Sequence, residues 1–129
     1  MIFDKLQEIE NAINDLGIFD SGKIYLGQEF TVSVNNLPLC IVKSGNGTLE
    51  GHLVQGGFHV IAIFRDADNI EQTLDTNLGK IIKALLKLED IEITYFTTDE
   101  DVFQPFGLII PQSPPFGAFR IEGIIVTAE

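Results

Sequence analysis

The chain is poor in the residues that most often betray chemistry. It has one cysteine, Cys40, and two histidines, His52 and His59, in 129 residues. A lone cysteine forms no internal disulfide, which fits a reducing compartment. It also completes no zinc set, because neither histidine has a second ligand at zinc-like spacing. Basic residues are scarce as well: eight Lys and Arg oppose nineteen Asp and Glu, for a formal charge of −11. Nucleic-acid binding depends on Lys and Arg displacing counterions, and anionic membrane surfaces attract the same residues, so neither is an expected partner. Lys80, Lys83 and Lys87 form one local basic face and read as plain solvation. No apolar run approaches the roughly 20 residues that span a bilayer. Met1 to Glu10 alternates charge with apolar residues and lacks the regions of a signal peptide, so synthesis and function without export are expected.

Sequence patterns for common sites fail as well. There is no Gly-x-Ser-x-Gly elbow to present a nucleophile. Glycines at 45 to 47 and 56 to 57 lack the spacing that cradles phosphate and read as turns. Asp66-Ala67-Asp68-Asn69 opens like a calcium loop, but Glu71 stands where that loop needs Gly, and Asn77 where it needs Glu. Asp99-Glu100-Asp101 reads as an exposed acidic turn. The chain is therefore not expected to be an enzyme, and no catalytic, cofactor-binding or metal residue is assigned. If a hidden site existed, His59 would be its best titratable candidate.

What the chain does have is apolar content: 45% of its residues, enough for one domain spanning 1–129 with one core. Ile2, Leu6, Ile9, Ile13 and Leu16 recur every three or four residues, with Phe3 and Ala12 widening the stripe, and predict a helix that Gly17 stops. Short strands are expected at Lys23 to Leu26 and Phe30 to Val34, followed by an apolar run from Leu39 to Val42. Ser44-Gly45-Asn46-Gly47 predicts a tight turn, with Thr48 to Val54 as the return strand and Gln55-Gly56-Gly57 as a further break. Phe58 to Phe64 is apolar on both faces, with Phe58, Val60, Ala62 and Phe64 pointing one way and His59, Ile61 and Ile63 the other. Asp68 and Glu71 form a capping-box pattern. Behind it runs a long helical stripe, Ile70, Leu74, Leu78, Ile81, Ile82, Leu85 and Leu88. Ile91 to Thr97, with Ile91, Ile93 and Tyr95 on one face, and Ala118 to Val126 are the last strands.

This order predicts an α+β fold, a mixed or antiparallel β-sheet with an N-terminal helix and one long central helix packed on it. Helices on one side leave the apolar residues of the other face to be covered by a second small sheet or a neighbouring subunit. Residues 102 to 117 carry four of the five prolines, and Phe106, Phe116 and Phe119 lie among Gly and Pro in this region. Such a stretch either tucks onto its own core or serves as a contact segment for another subunit.

In length and layout these residues resemble the tail terminator (tail completion) proteins of long-tailed phages, such as lambda's. The resemblance spans nearly the whole chain. It rests on the amphipathic helix Ile2 to Leu16, the Leu37-Pro38 segment, the two-sided strand Phe58 to Phe64, the long helix Asp68 to Leu88 and the closing strands Ile91 to Thr97 and Ala118 to Val126. It implies a virion subunit, assembled in the host cytoplasm. The subunit forms a homo-oligomeric ring, usually of roughly six copies, that ends the tail tube and helps join it to the head. The implied partners are tail tube and head–tail connector proteins. No catalytic residues carry over. Asp99, Glu100, Asp101, Phe103, Phe106, Phe116 and Phe119 are the candidate contact residues. A neck or connector subunit is the neighbouring alternative. Another class of function is a small-ligand binding domain with a pocket lined by Phe58, Phe64 and Tyr95.

Overall fold

A computed structural model describes residues 2–20, 22–26, 37–50, 53–98 and 116–128. The expected strand at Phe30 to Val34 lies outside them. Helix α1 spans Ile2–Asn14 and buries Leu6, Ile9 and Ile13, three positions of the apolar stripe. It ends where a positive φ of 71° at Gly17 takes the chain out of the helix, a conformation glycine adopts without steric cost. Phe3 does not join the stripe: it is 57% exposed.

Strand β1, Ile24–Leu26, runs parallel to the start of β2, Leu39–Glu50. β2 then pairs antiparallel with β3, Leu53–Arg65, from Leu39 opposite Ile63 to Glu50 opposite Leu53. The turn expected at Ser44 to Gly47 is corrected here. The strand runs straight through it, and the chain reverses only between Glu50 and Leu53. The register instead shifts between Ser44 and Gly47, where Gly45 and Asn46 together oppose Gly57. One extra residue in one strand is a β-bulge, which draws on the same permissive residues as a turn. The break expected at Gln55 to Gly57 likewise lies inside β3.

β5, Phe116–Ala128, pairs with β3 along its whole length, and β4, Ile91–Thr97, flanks β5 on its other side. Among the described residues the strand order is β1-β2-β3-β5-β4, with one parallel and three antiparallel pairs. The fold is therefore α+β with a mixed sheet.

Helix α2, Ile70–Leu85, connects β3 to β4 and buries Ile70, Leu78, Ile81 and Leu85. The carboxylate that organises its start is Asp66 rather than Asp68. The amides of Asp68 and Asn69 donate to Asp66 Oδ1 (3.1 and 3.0 Å), and the Thr73 hydroxyl donates to Oδ2 (2.7 Å). Asn69 occupies the N-cap position without a side-chain capping bond. The expected capping box thus misplaces the acid by two residues, since the loop, not the helix, sets which oxygen reaches the free amides. At the other end the chain leaves the helix after Leu85, and Asp90, with a φ of 64°, turns it toward β4. Lys5 of α1 sits between Glu8 and Asp90 (3.1 and 3.5 Å) and ties the first helix to that turn.

The pleat of β3 divides the sheet as expected. Phe58, Val60, Ala62 and Phe64 join Cys40, Val42, Phe119, Ile121 and the apolar faces of both helices in the main core. Ile61 and Ile63 join Leu39, Ile41 and Ala118 in a smaller cluster on the opposite face, with Tyr25 and Leu37 packed against it. These five residues are 0–1% exposed in the single chain, so no neighbouring subunit is required to bury them. Each of the four buried Leu and Ile side chains contributes about 1.5–3 kcal/mol.

Candidate functional site

Two places gather side chains beyond what the core needs: a groove beside α2, and a polar row across the opposite face of the sheet. The groove begins with β4. Ile93 pairs with Gly123 but Tyr95 pairs with Glu122, so a bulge at Thr94 shifts the register. The one-residue slip moves every later side chain to the other face. Tyr95 therefore leaves the Ile91 and Ile93 face expected for it, and Phe96 comes up on the helix side opposite Ile121. Phe96 is 54% exposed and Tyr95 44%, on the outermost strand of the sheet among the described residues.

Phe96, Phe116 and Thr98 form one wall of a groove of about 820 Å³, and the N-terminal half of α2 forms the other. Leu74 and Leu78 line it from the helix, while Asp68, Glu71 and Asp75 supply the acidic groups. Gly117 lies at its base: a Cβ there would fall 2.7 Å from Ile70 Cγ1 and 2.8 Å from Leu74 Cδ1, so only glycine lets α2 approach β5 this closely. Apolar walls with carboxylates suit an apolar anchor flanked by positive charge.

The polar row runs Lys43, His59, Glu122 and Tyr95 across β2, β3, β5 and β4. His59 Nδ1 lies 3.1 Å from Glu122 Oε1, and Arg120 Nε lies 3.5 Å from the same oxygen. The Arg120 guanidinium also stands over the Tyr95 ring, 5.9 Å from its centroid. Arg120 is only 6% exposed, and a buried guanidinium demands a nearby carboxylate; Glu122 answers that demand. Burial pushes the His59 pKa below its ordinary value; Glu122 opposes this, while Arg120 and Lys43 reinforce it. The short His59–Glu122 contact would favour a charged imidazole, but desolvation and two nearby cations outweigh one shared carboxylate. The row is best read as a neutral histidine packed beside a buried ion pair.

Cys40 does not extend it toward catalysis. Its side chain lies in the main core on the other face of the sheet, and burial pushes its thiol pKa upward, away from the reactive thiolate. Among the described residues no three His, Cys, Asp or Glu side chains gather as metal ligands.

Of the candidate contact residues, Phe116 is half-buried at the groove. Phe119 is a correction: it is 0% exposed, on the helix side of β5, with its ring 5.8 Å from that of Phe64. It lies in the expected strand Ala118 to Val126, and its register opposite Ala62 turns it to the helix side. Asp99, Glu100, Asp101, Phe103 and Phe106 lie outside the described residues. The expected ligand pocket is also corrected. Phe58 and Phe64 are core residues 1% and 4% exposed, whereas Tyr95 lies on the other face of the sheet, so the three line no common space. Sequence reasoning missed Phe96 and Leu86. Leu86, 64% exposed, did carry a signal: it is an apolar residue off the helical stripe. Phe96 carried none, because a bulge decides its face. No protein-family model matches the chain, and no curated protein matches it.

Proposed function

We propose that this protein is a structural subunit of a phage or prophage tail, one member of a ring that terminates the tail tube and helps join it to the head. Its work is shape and stopping rather than turnover, with tail tube and head–tail connector proteins as partners. The ring has roughly six copies and forms in the host cytoplasm before becoming part of the virion. The observation that carries this reading is the exposed aromatic surface of β4. Two large aromatic side chains stand half exposed on β4, Phe96 beside an apolar groove with acidic groups and Tyr95 on the opposite face of the sheet. Exposed apolar surface is a liability in a free monomer and an asset in an assembly. The order helix, strands, helix, strands, with β3 apolar on both faces, agrees with the layout on which the resemblance to tail terminators rests.

Light scattering across a concentration series, with negative-stain images, tests the proposal. A closed ring near six times the monomer mass is expected. A monomer at every concentration, also in the presence of tail tubes, would sink it. The groove's volume favours a second reading, since about 300–1,000 Å³ is the usual range for small-ligand sites. A metabolite that raises the melting temperature of the wild type but not of a Phe96→Ala variant would support that reading instead.

A further inference from the structure

We propose that the acidic groove at the N-terminal end of α2 receives the basic C-terminal end of α2 from a second copy of this chain. The inference rests on the assembly reading above and names the contact that would build it. Helix α2 is electrically divided. Glu71 and Asp75, with Asp68 just before the helix, lie at one end, and exposed Lys80, Lys83 and Lys87 lie at or just beyond the other. Those three lysines are three of the chain's eight cationic side chains. Two copies that each carry a charge of −11 repel one another unless the contact itself is locally attractive. Lysine facing acid at the groove meets that condition.

Complementarity to the helix dipole accounts for acids at the start and lysines at the end. It does not account for Leu86. This side chain is 64% exposed, off the buried stripe of Leu78, Ile81 and Leu85, and it has Lys87 beside it and Lys83 one turn back. An apolar knob among cations matches a groove with apolar walls of Leu74, Leu78, Phe96 and Phe116 and with only acids among its described charged residues. Glu71 and Leu86 are fifteen residues apart, roughly 22 Å along a helix. Knob and groove therefore cannot meet within one copy. Used head to tail, the contact is heterologous: two copies joined by it leave one knob and one groove free between them, and the row of contacts ends when a ring closes.

The test uses the full chain and two variants altered at exposed positions, Leu86→Asp at the knob and Glu71→Lys with Asp75→Lys at the groove. Circular dichroism verifies that each is folded. Light scattering is expected to show the wild type assembled and each variant at the monomer mass of 14.3 kDa. A one-to-one mixture of the two variants retains one working groove and one working knob, so it is expected to stop at a dimer. Adding Lys83→Glu and Lys87→Glu to the groove variant is expected to restore assembly. Independently, a mixture of Leu86→Cys and Phe96→Cys proteins is expected to form a disulfide-linked dimer under mild oxidation, with buried Cys40 out of reach. Variants that assemble like the wild type would overturn this contact and leave the ring reading standing. A monomeric wild type whose cysteine pair still cross-links would keep the contact and remove the ring. A monomeric wild type without the cross-link would remove both.

Discussion

Asp66 illustrates how much a single carboxylate organises. Its bonds to the Thr73 hydroxyl and to the amides of Asn69 and Asp68 hold its pKa below the ordinary 3.8. The folded state therefore binds this proton more weakly than the unfolded chain. The resulting stability is present above pH 3.8 and is lost as the pH falls through the lower folded value. Asp66→Ala is expected to lower the melting temperature at neutral pH and to reduce the loss of stability at acid pH, measured by thermal denaturation. His59 has the same sign in a different window. Its folded pKa lies below 6.5, so its contribution is full above that value and declines as the pH falls from there toward the folded one. His59→Gln is expected to flatten the fall in urea midpoint as the pH drops below 6.5. Phe119, fully buried against Phe64, is expected to lose about 3–5 kcal/mol on truncation to alanine, whereas half-exposed Phe96 loses far less. Equal losses in equilibrium denaturation would contradict their placement.

At the scale of elements, local patterns were legible where one element decides its own form. The stripe Leu6, Ile9 and Ile13 and the stop at Gly17 are read from spacing and from one glycine's φ. The two-sided run from Phe58 to Phe64 distributes its side chains as alternation demands. The two bulges were not legible. Gly45 and Asn46 supply the same backbone freedom to a turn and to a bulge, and only pairing with Gly57 selects the bulge. At Thr94 no unusual residue marks the slip that lifts Phe96 to the groove. The close packing of α2 on β5 at Gly117 is likewise a tertiary matter. Gly117→Val would press on Ile70 and Leu74, and is expected to cost about 1–3 kcal/mol in chemical denaturation while opening the groove.

For the whole molecule, charge is the property that composition determines directly. With an isoelectric point near 4.4, the chain is expected to be least soluble close to that pH, where turbidity should peak, and to leave duplex DNA unshifted in a gel at physiological salt. The α+β class, the two main helices and the two-sided central strand followed from periodicity, because period and burial face are properties of neighbouring residues. Three things were decided only by the folded chain: which carboxylate starts α2, that Phe119 points inward while Phe96 points out, and that acids, Phe96 and Phe116 border one groove. The first depends on the path of the loop before α2, and the other two on register between segments far apart in sequence. A slip of one residue in that register reverses which side chains the protein buries and which it offers to a partner.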